Sequence, residues 1–216
     1  MTLPAPSPQY PSPKSRKGLL FVISAPSGAG KTSICRAILS LFPVLLQSIS
    51  FTTREMRHGE REGRDYHFVS HAVFDKMIAD DDFAEWAEVH GNRYGTARAT
   101  LDQAREESTD ILLDIDYQGA EQLRNSGVDG VFIFILPPGM TELRKRLESR
   151  NTDNEKIIAR RMNNATGEIA EASRFDYLVV NDVLDQAVEK VRAIMIAETL
   201  RTDRVLMTLP EEFGLK

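Results

Sequence analysis

The sequence predicts an α/β protein with a central parallel β-sheet, and three features support this fold class. Four short apolar runs are rich in β-branched residues, as is typical of strands buried on both faces. A segment with helical periodicity follows each run. A glycine-rich loop joins the first run to its helix. Parallel sheets bind ligands at the carboxyl ends of their strands, so we expect the site where this loop lies.

Strands and helices alternate along the chain in the order that a parallel sheet requires. The strands are predicted over 19–25, 111–115, 131–136 and 177–180. The helices that follow them are predicted over 33–42, 118–125, 140–150 and 184–201.

Two segments depart from this alternation and are predicted to be insertions. Residues 48–97 contain short alternating stretches, such as 66–69 and 83–89, broken by glycines, which predicts a small mixed β unit. Residues 143–173 are highly charged and helical in pattern. Residues 1–17 are rich in proline and serine without an apolar stretch, which predicts a disordered leader.

The loop after the first strand reads SAPSGAGKTS from Ser24 to Ser33. Gly28 and Gly30 allow the backbone to turn its N–H groups onto phosphate oxygens. Lys31 can reach the β- and γ-phosphates, and Thr32 can offer its hydroxyl to Mg²⁺. Ala25 stands where the usual pattern has its first glycine, but the functional end of the motif is intact. The loop therefore predicts a nucleoside triphosphate site.

A second motif, ILLDID over 111–116, carries two carboxylates at the end of an apolar strand. Phosphate-loop proteins support Mg²⁺ through an aspartate in this setting. Alternation along the strand places Asp114 and Asp116 on one face. We therefore expect Asp114 to assist Thr32 in holding the metal.

Composition limits the classes of partner and compartment. The 216 residues suffice for one domain with a small inserted lid, and the net charge of −5 argues against a general binder of nucleic acid or anionic membranes. No apolar stretch approaches the roughly 20 residues that span a bilayer. The single cysteine, Cys35, cannot form an internal disulfide, so a reducing cytoplasm is expected.

Taken in order, the motifs of the chain resemble the successive signatures of the guanylate kinases. They are SAPSGAGKT from Ser24, TTREMRHGE from Thr52, GRDYHFV from Gly63, EWA from Glu85, GNRYG from Gly91 and LDIDYQG from Leu113. The resemblance runs from about Gly18 to Leu200 and includes Ala25. It implies a three-layer P-loop fold with a GMP-binding insertion at 48–97 and a helical lid at 143–173. The core of this domain, 18–216, would be formed by 18–47, 98–142 and 174–216.

The resemblance implies Mg²⁺-dependent transfer of the γ-phosphoryl group of ATP to GMP, and to dGMP, in purine nucleotide metabolism and GMP recycling. Its ATP-binding positions are Ala25, Pro26, Ser27, Gly28, Ala29, Gly30, Lys31, Thr32, Ser33, Arg150 and Asn181. Its GMP-binding positions are Ser50, Arg54, Arg57, Tyr66, Glu85, Tyr94, Gly95, Thr96 and Asp116. Its catalytic positions are Lys31, Arg54, Arg146, Arg150 and Arg161, and its metal-binding positions are Thr32 and Asp114.

The chemistry of these residue types agrees with the implied roles. Guanidinium groups bind phosphate bidentately, and tyrosine hydroxyls add directional donors. Glu85 can accept from the N1–H and the exocyclic amine of guanine together, whereas adenine lacks the N1–H donor. A buried site whose partner is missing rejects the wrong ligand strongly, so AMP is expected to be disfavoured. Lid arginines can stabilise the transferred charge while lid closure excludes water.

Two alternatives stay open on the sequence alone. The chain is compatible with another nucleoside monophosphate kinase whose acceptor base differs. A non-catalytic scaffold module of this fold, which binds phosphopeptides, is the second, although the chain keeps Lys31, Thr32 and Asp114. The oligomeric state is also open, including a homo-oligomer.

Overall fold

A parallel β-sheet forms the centre of the structure, which is a computed structural model describing residues 17–89, 91–149 and 155–209. The strands are β1 Leu20–Ser24, β2 Leu46–Gln47, β3 Phe51–Thr52, β4 His67–Phe68, β5 Phe83–Val89, β6 Asn92–Ala97, β7 Ile111–Asp114, β8 Val131–Leu136 and β9 Tyr177–Val180. Within the described residues, the central sheet has five strands in the order β2-β7-β1-β8-β9, and every pair is parallel.

Helices cover both faces of this sheet. They are α1 Lys31–Leu41, α2 His71–Ala79, α3 Arg98–Glu106, α4 Tyr117–Asn125, α5 Met140–Glu148, α6 Glu155–Ala170, α7 Leu184–Thr199 and α8 Thr202–Val205. Alternation along β1 turns Phe21 and Ile23 toward α1 and α7, and Leu20 and Val22 toward α3 and α4. The result is a three-layer α/β fold, as the sequence predicts.

A second, mixed sheet follows in the predicted insertion, with strand order β4-β3-β6-β5. The β3–β4 pair is parallel, whereas β6 runs antiparallel to both β3 and β5. The sequence pattern did not predict the helix α2 within this unit. This helix starts at an N-cap serine, Ser70, whose side chain accepts from the Val73 N–H at 3.2 Å, and it buries Phe74 against the sheet.

Other element boundaries differ modestly from the predicted ones. The predicted strand at 66–69 is only two residues long, and α3 was not predicted at all. The strand β7 ends at Asp114, so Asp116 does not continue it. Instead Asp116 is the N-cap of α4, where its Oδ1 accepts from the Gly119 N–H at 2.9 Å.

Some sequence predictions fall on residues that the structure does not describe. Arg150 and residues 1–16 of the predicted leader lie outside the described residues. The domain boundaries remain predictions. Among the described helices, none combines the length and the apolar character needed to cross a membrane.

Candidate active site

The phosphate loop lies between β1 and α1 and is shaped by two glycines in the left-handed region. The φ angles of Gly28 and Gly30 are 93° and 96°, which side chains with a Cβ rarely adopt. The Ala29 N–H donates to the Pro26 carbonyl at 3.1 Å, which closes the turn. The loop lines a cavity of about 580 Å³, so the amides that begin α1 open onto space suited to an anion.

Lys31, the first residue of α1, is tied to the end of β7. Its Nζ lies 2.8 Å from Asp114 Oδ1 and donates to the Ile115 carbonyl at 2.6 Å. Burial lowers the pKa of Lys31, but the charge and hydrogen bond of Asp114 outweigh burial, so the pKa stands above its ordinary value. The lysine is therefore a fixed cation at the floor of the cleft.

The donor set near the loop fits Mg²⁺ bound jointly with phosphates. Thr32 lines the cavity, and the Asp114 side chain keeps 27% of its surface exposed. Among the described residues there is no cluster of three or more His, Cys, Asp or Glu that could hold a metal by itself. One hydroxyl and one carboxylate are hard oxygen donors of the kind that Mg²⁺ uses when substrate phosphates and water complete its shell.

Asn181, at the end of β9, supports the loop from the other side. Its Nδ2 donates to the Ala29 carbonyl at 2.7 Å, and the residue is buried. A Cβ at Gly30 would overlap with this Nδ2, so the loop and Asn181 are fitted to each other. Arg146 donates to the Asn181 carbonyl at 3.0 Å and to Glu142 at 3.1 Å. In this conformation Arg146 thus contacts the main chain beside the loop.

The insertion brings together a cluster of arginine and tyrosine side chains around Arg54. Arg54 places its guanidinium 5.4 Å from the Tyr66 ring centroid, and the Tyr66 and Tyr94 rings lie 5.8 Å apart. Glu60 holds this group together, since it accepts from Arg54 Nη2 and from the Arg57 N–H, both at 2.8 Å. The sequence analysis gives Glu60 no role of its own, although its place in the TTREMRHGE motif was a signal.

Glu85 lies on β5, and its buried carboxylate faces the first turn of α4 at Gly119. Only 4% of the residue is exposed, and Thr96 on the neighbouring β6 donates its hydroxyl to Oε1 at 2.6 Å. Burial raises the pKa of Glu85 to about 7; the Thr96 hydrogen bonds oppose the rise and the charge of Asp116 adds to it. Ser50 is half-buried just before β3, and Gly95 is packed under Phe83.

The helix α6 forms the opposite wall of the cavity. Asn163, Asn164, Gly167 and Glu168 face the phosphate loop across it. Burial raises the pKa of Glu168, and a hydrogen bond with the Ser27 backbone opposes the rise. Sequence reasoning missed Glu168, although it lies seven residues after Arg161 and so on the same side of the helix. Arg161 is half-buried on α6.

The phosphate loop lies close enough to the Arg54 cluster and to Glu85 to influence their neighbourhood electrostatically. Lys31 at the phosphate loop lowers the pKa of Glu85 electrostatically, and it acts on Tyr66 in the same direction. The pKa of Tyr66 is nevertheless raised, mainly by burial and next by the charge of Asp114. A phosphate loop on a parallel sheet, with an arginine–tyrosine cluster and a buried carboxylate on an inserted sheet beside it, is the arrangement of the nucleoside monophosphate kinases.

Comparison with known proteins specifies the family within this class. The family model described as guanylate kinase matches residues 17–198. The guanylate kinases of Syntrophotalea carbinolica and Geobacter sulfurreducens are 59% and 52% identical, covering 88% and 93% of this chain and 90% and 98% of their own. The crystal structure of guanylate kinase from Anaplasma phagocytophilum has a TM-score of 0.75 at 32% identity, covering 94% of this chain and 98% of that one. The chain belongs to the guanylate kinase family.

Proposed function

We propose that this enzyme transfers the γ-phosphoryl group of ATP to GMP, giving ADP and GDP. The observation that carries the proposal is the buried Glu85–Thr96 pair, which lies close enough to Asp116, at the edge of the phosphate-loop cavity, for the charge of Asp116 to raise the pKa of Glu85. An ionised carboxylate there accepts from the guanine N1–H and amine together, and adenine offers no N1–H. Ser50, Gly95, Thr96 and Asp116 surround the base.

The acceptor phosphate binds at the clamp of Arg54, Arg57, Tyr66 and Tyr94. The guanidinium of Arg54 forms an ion pair with Glu60 at 2.8 Å. Arg54 exchanges that carboxylate for the phosphate, which offers it two oxygens for a bidentate contact. Because the proposed contacts reach the base and the phosphate rather than the sugar, dGMP is a second acceptor.

The donor triphosphate lies on the phosphate loop, from Ala25 to Ser33, with Lys31 on its outer phosphates and Asn181 beside the adenine end. Thr32 and Asp114 would hold Mg²⁺. When bound, the ion supplies charge neutralisation across the phosphates. Lys31 is already charged and fixed, so it needs only to exchange Asp114 for phosphate oxygens.

Transfer needs no protein nucleophile. An oxygen of the GMP phosphate attacks the γ-phosphorus in line, the bond from that phosphorus to the β-bridging oxygen breaks, and ADP leaves with the electron pair. The acceptor oxygen is already anionic, so no general base is required. Arg54, together with Arg146, Arg150 and Arg161 of the lid, stabilises the charge that is shared between the two nucleotides.

The proposed domain organisation follows from these roles. The insertion at 48–97 binds GMP, the lid at 143–173 closes over ATP, and the core carries the phosphate loop. Closure excludes water, which otherwise would hydrolyse the donor. Recycling of GMP in purine nucleotide metabolism is the cellular role that fits this reaction.

An ADP-release assay tests the proposal. The purified chain is given ATP and Mg²⁺ with GMP, dGMP, AMP, CMP, UMP or dTMP in turn. We expect GMP to have the highest kcat/KM and activity to stop when Mg²⁺ is chelated. Clear preference for another monophosphate would overturn the base assignment, and ADP release from none of them would favour the non-catalytic module.

A further inference from the structure

The first turn of α4 leaves room for the Glu85 side chain because it contains a glycine. Gly119 is buried, and a Cβ built on it would overlap with Oε2 of Glu85 and lie 2.8 Å from Cδ. Side chains essentially never approach so closely. Glycine inside a helix costs up to about 1 kcal/mol relative to alanine, so its presence here calls for a steric reason.

The helix cannot easily move aside to accommodate a larger residue. The Gly119 N–H donates to the N-cap carboxylate of Asp116 at 2.9 Å, which fixes this turn. On the inner side, a Cβ at Gly119 would also meet Ile115 Cδ1 at 3.3 Å. A substitution at Gly119 therefore displaces the carboxylate of Glu85 rather than the helix.

One turn further along α4, Gln122 fixes the strand that carries Glu85. Its amide Nε2 donates to the Trp86 carbonyl at 2.7 Å, and its Oε1 accepts from the Trp86 N–H at 3.1 Å. These are the two bonds that a neighbouring strand would make. Within the described residues, β5 pairs with β6 on its other side, so Gln122 occupies the open edge next to Glu85.

Three contacts thus determine where the carboxylate lies: the Thr96 hydroxyl, the space above Gly119 and the Gln122 bonds to Trp86. Two parallel donors on a base require both carboxylate oxygens at hydrogen-bond distance, which a shift of about 1 Å destroys. We infer that Gly119 and Gln122 are positioning residues that set the preference for guanine by fixing Glu85. This inference rests on the proposed function.

The first test is Gly119→Ala, with Gly139→Ala as the matched control. Among the described residues, no heavy atom lies within 4 Å of a Cβ built at Gly139, and its φ of 175° suits alanine. We expect Gly119→Ala to raise the KM for GMP by about tenfold or more and to lower the ratio of kcat/KM for GMP over AMP, as misplaced polar groups do in specificity pockets. The KM for ATP and the constants of the control should stay at wild-type values.

The second test is Gln122→Ala, with Gln103→Ala as its control. Both glutamines are exposed, and Gln103 donates to Glu107 on its own helix. We expect the same direction of change as for Gly119→Ala and a smaller size, because Thr96 still holds the carboxylate. Because Gln122 is exposed, the Gln122→Ala protein should fold, and it tests the positioning inference even if Gly119→Ala fails to fold.

A double-mutant cycle separates this inference from the proposed function. In a Glu85→Ala background, Gly119→Ala should cause no further loss of GMP preference, because its effect acts through Glu85. If Glu85→Ala itself keeps the preference, the base assignment in the proposed function fails. If Glu85→Ala removes it but Gly119→Ala and Gln122→Ala leave it intact, only the positioning inference fails. Equal losses for ATP and GMP would also overturn it, since they would indicate general destabilisation.

Discussion

At the scale of single residues, the site is a set of ionisable side chains, each held in place by a specific partner. Lys31 is held by Asp114, Arg54 by Glu60, and Glu85 by the neutral donor Thr96. The first two pairs must exchange partners when nucleotides bind, whereas Glu85 must become ionised. The pH of the solution should therefore affect the binding of GMP through the ionisation of Glu85.

The KM for GMP should rise as the pH falls below neutrality. The pKa of Glu85 is about 7, and guanine requires the ionised carboxylate, so roughly a tenth of the sites remain competent one pH unit lower. The KM measured from pH 8 to pH 6 should increase about tenfold from this cause. The phosphate of GMP titrates near the same range, with a second pKa of about 6.

The Glu85→Gln variant isolates the contribution of the protein. Its GMP still carries the titrating phosphate, but residue 85 no longer ionises. The pH profile of the KM should therefore be flatter in the variant than in the wild type. Identical profiles would show that Glu85 is already ionised throughout this range.

Replacement of Lys31 tests the donor side. Lys31→Ala removes a fixed cation from the transferred phosphoryl group, and we expect kcat to fall about 10²-fold or more. Lys190→Ala, at an exposed position on α7, is the control and should leave kcat unchanged. Wild-type turnover by purified Lys31→Ala would remove Lys31 from the mechanism.

At the scale of elements, the helix α6 places an acidic residue where phosphates are to bind. Glu168 lines the cavity beside Ser27 of the phosphate loop. Under the proposed function, this carboxylate would compete with the triphosphate for the Ser27 backbone and would repel its charge. We therefore expect bound ATP to replace the contact between Glu168 and Ser27.

Glu168→Gln should lower the KM for ATP at pH 8 by several-fold, because it keeps the shape of the side chain and removes the competing charge. The gain should shrink toward acidic pH, since the pKa of Glu168 is raised and the wild-type residue loses its own charge there. Glu155→Gln, exposed on the same helix, is the control. A higher KM for ATP in Glu168→Gln would show that the carboxylate assists binding instead.

Local signals explain which elements the sequence predicted. The phosphate loop and the strands β8 and β9 depend on contiguous residues, so their patterns were sufficient. The helix α2 was missed because His71–Ala79 lies among short strands, and its start depends on one capping serine. The role of Gly119 was not predictable, because its partner Glu85 is distant in sequence and only the packing of α4 on β5 joins them.

At the scale of the whole molecule, the buried carboxylate of Glu85 opposes stability at neutral pH. The folded protein raises the pKa of Glu85 from 4.5 to about 7, so between these values the native state binds more protons than the unfolded state. The free energy of unfolding contributed by this group is fully present below the lower value and falls as the pH rises toward 7. GMP, which favours the ionised carboxylate, offsets that loss.

Urea unfolding of the nucleotide-free protein at pH 5 and pH 7.5 measures this effect. Relative to Glu85→Gln, the wild type should lose about 2 kcal/mol between the two conditions. Saturating GMP at pH 7.5 should restore stability by mass action in the wild type more than in the variant. A wild-type loss no larger than that of Glu85→Gln would contradict this account.

The pairing of Lys31 with Asp114 has a consequence for what the resting enzyme attracts. With its cation neutralised from within, the phosphate loop presents little net positive charge to passing anions. Inorganic phosphate or a polyanion without a bound cation would have to break the ion pair between Lys31 and Asp114, and Asp114 would then have no positive partner. A nucleotide that arrives with its own divalent counter-ion satisfies both partners at once, so the loop discriminates by the charge balance of the whole ligand as well as by its phosphates.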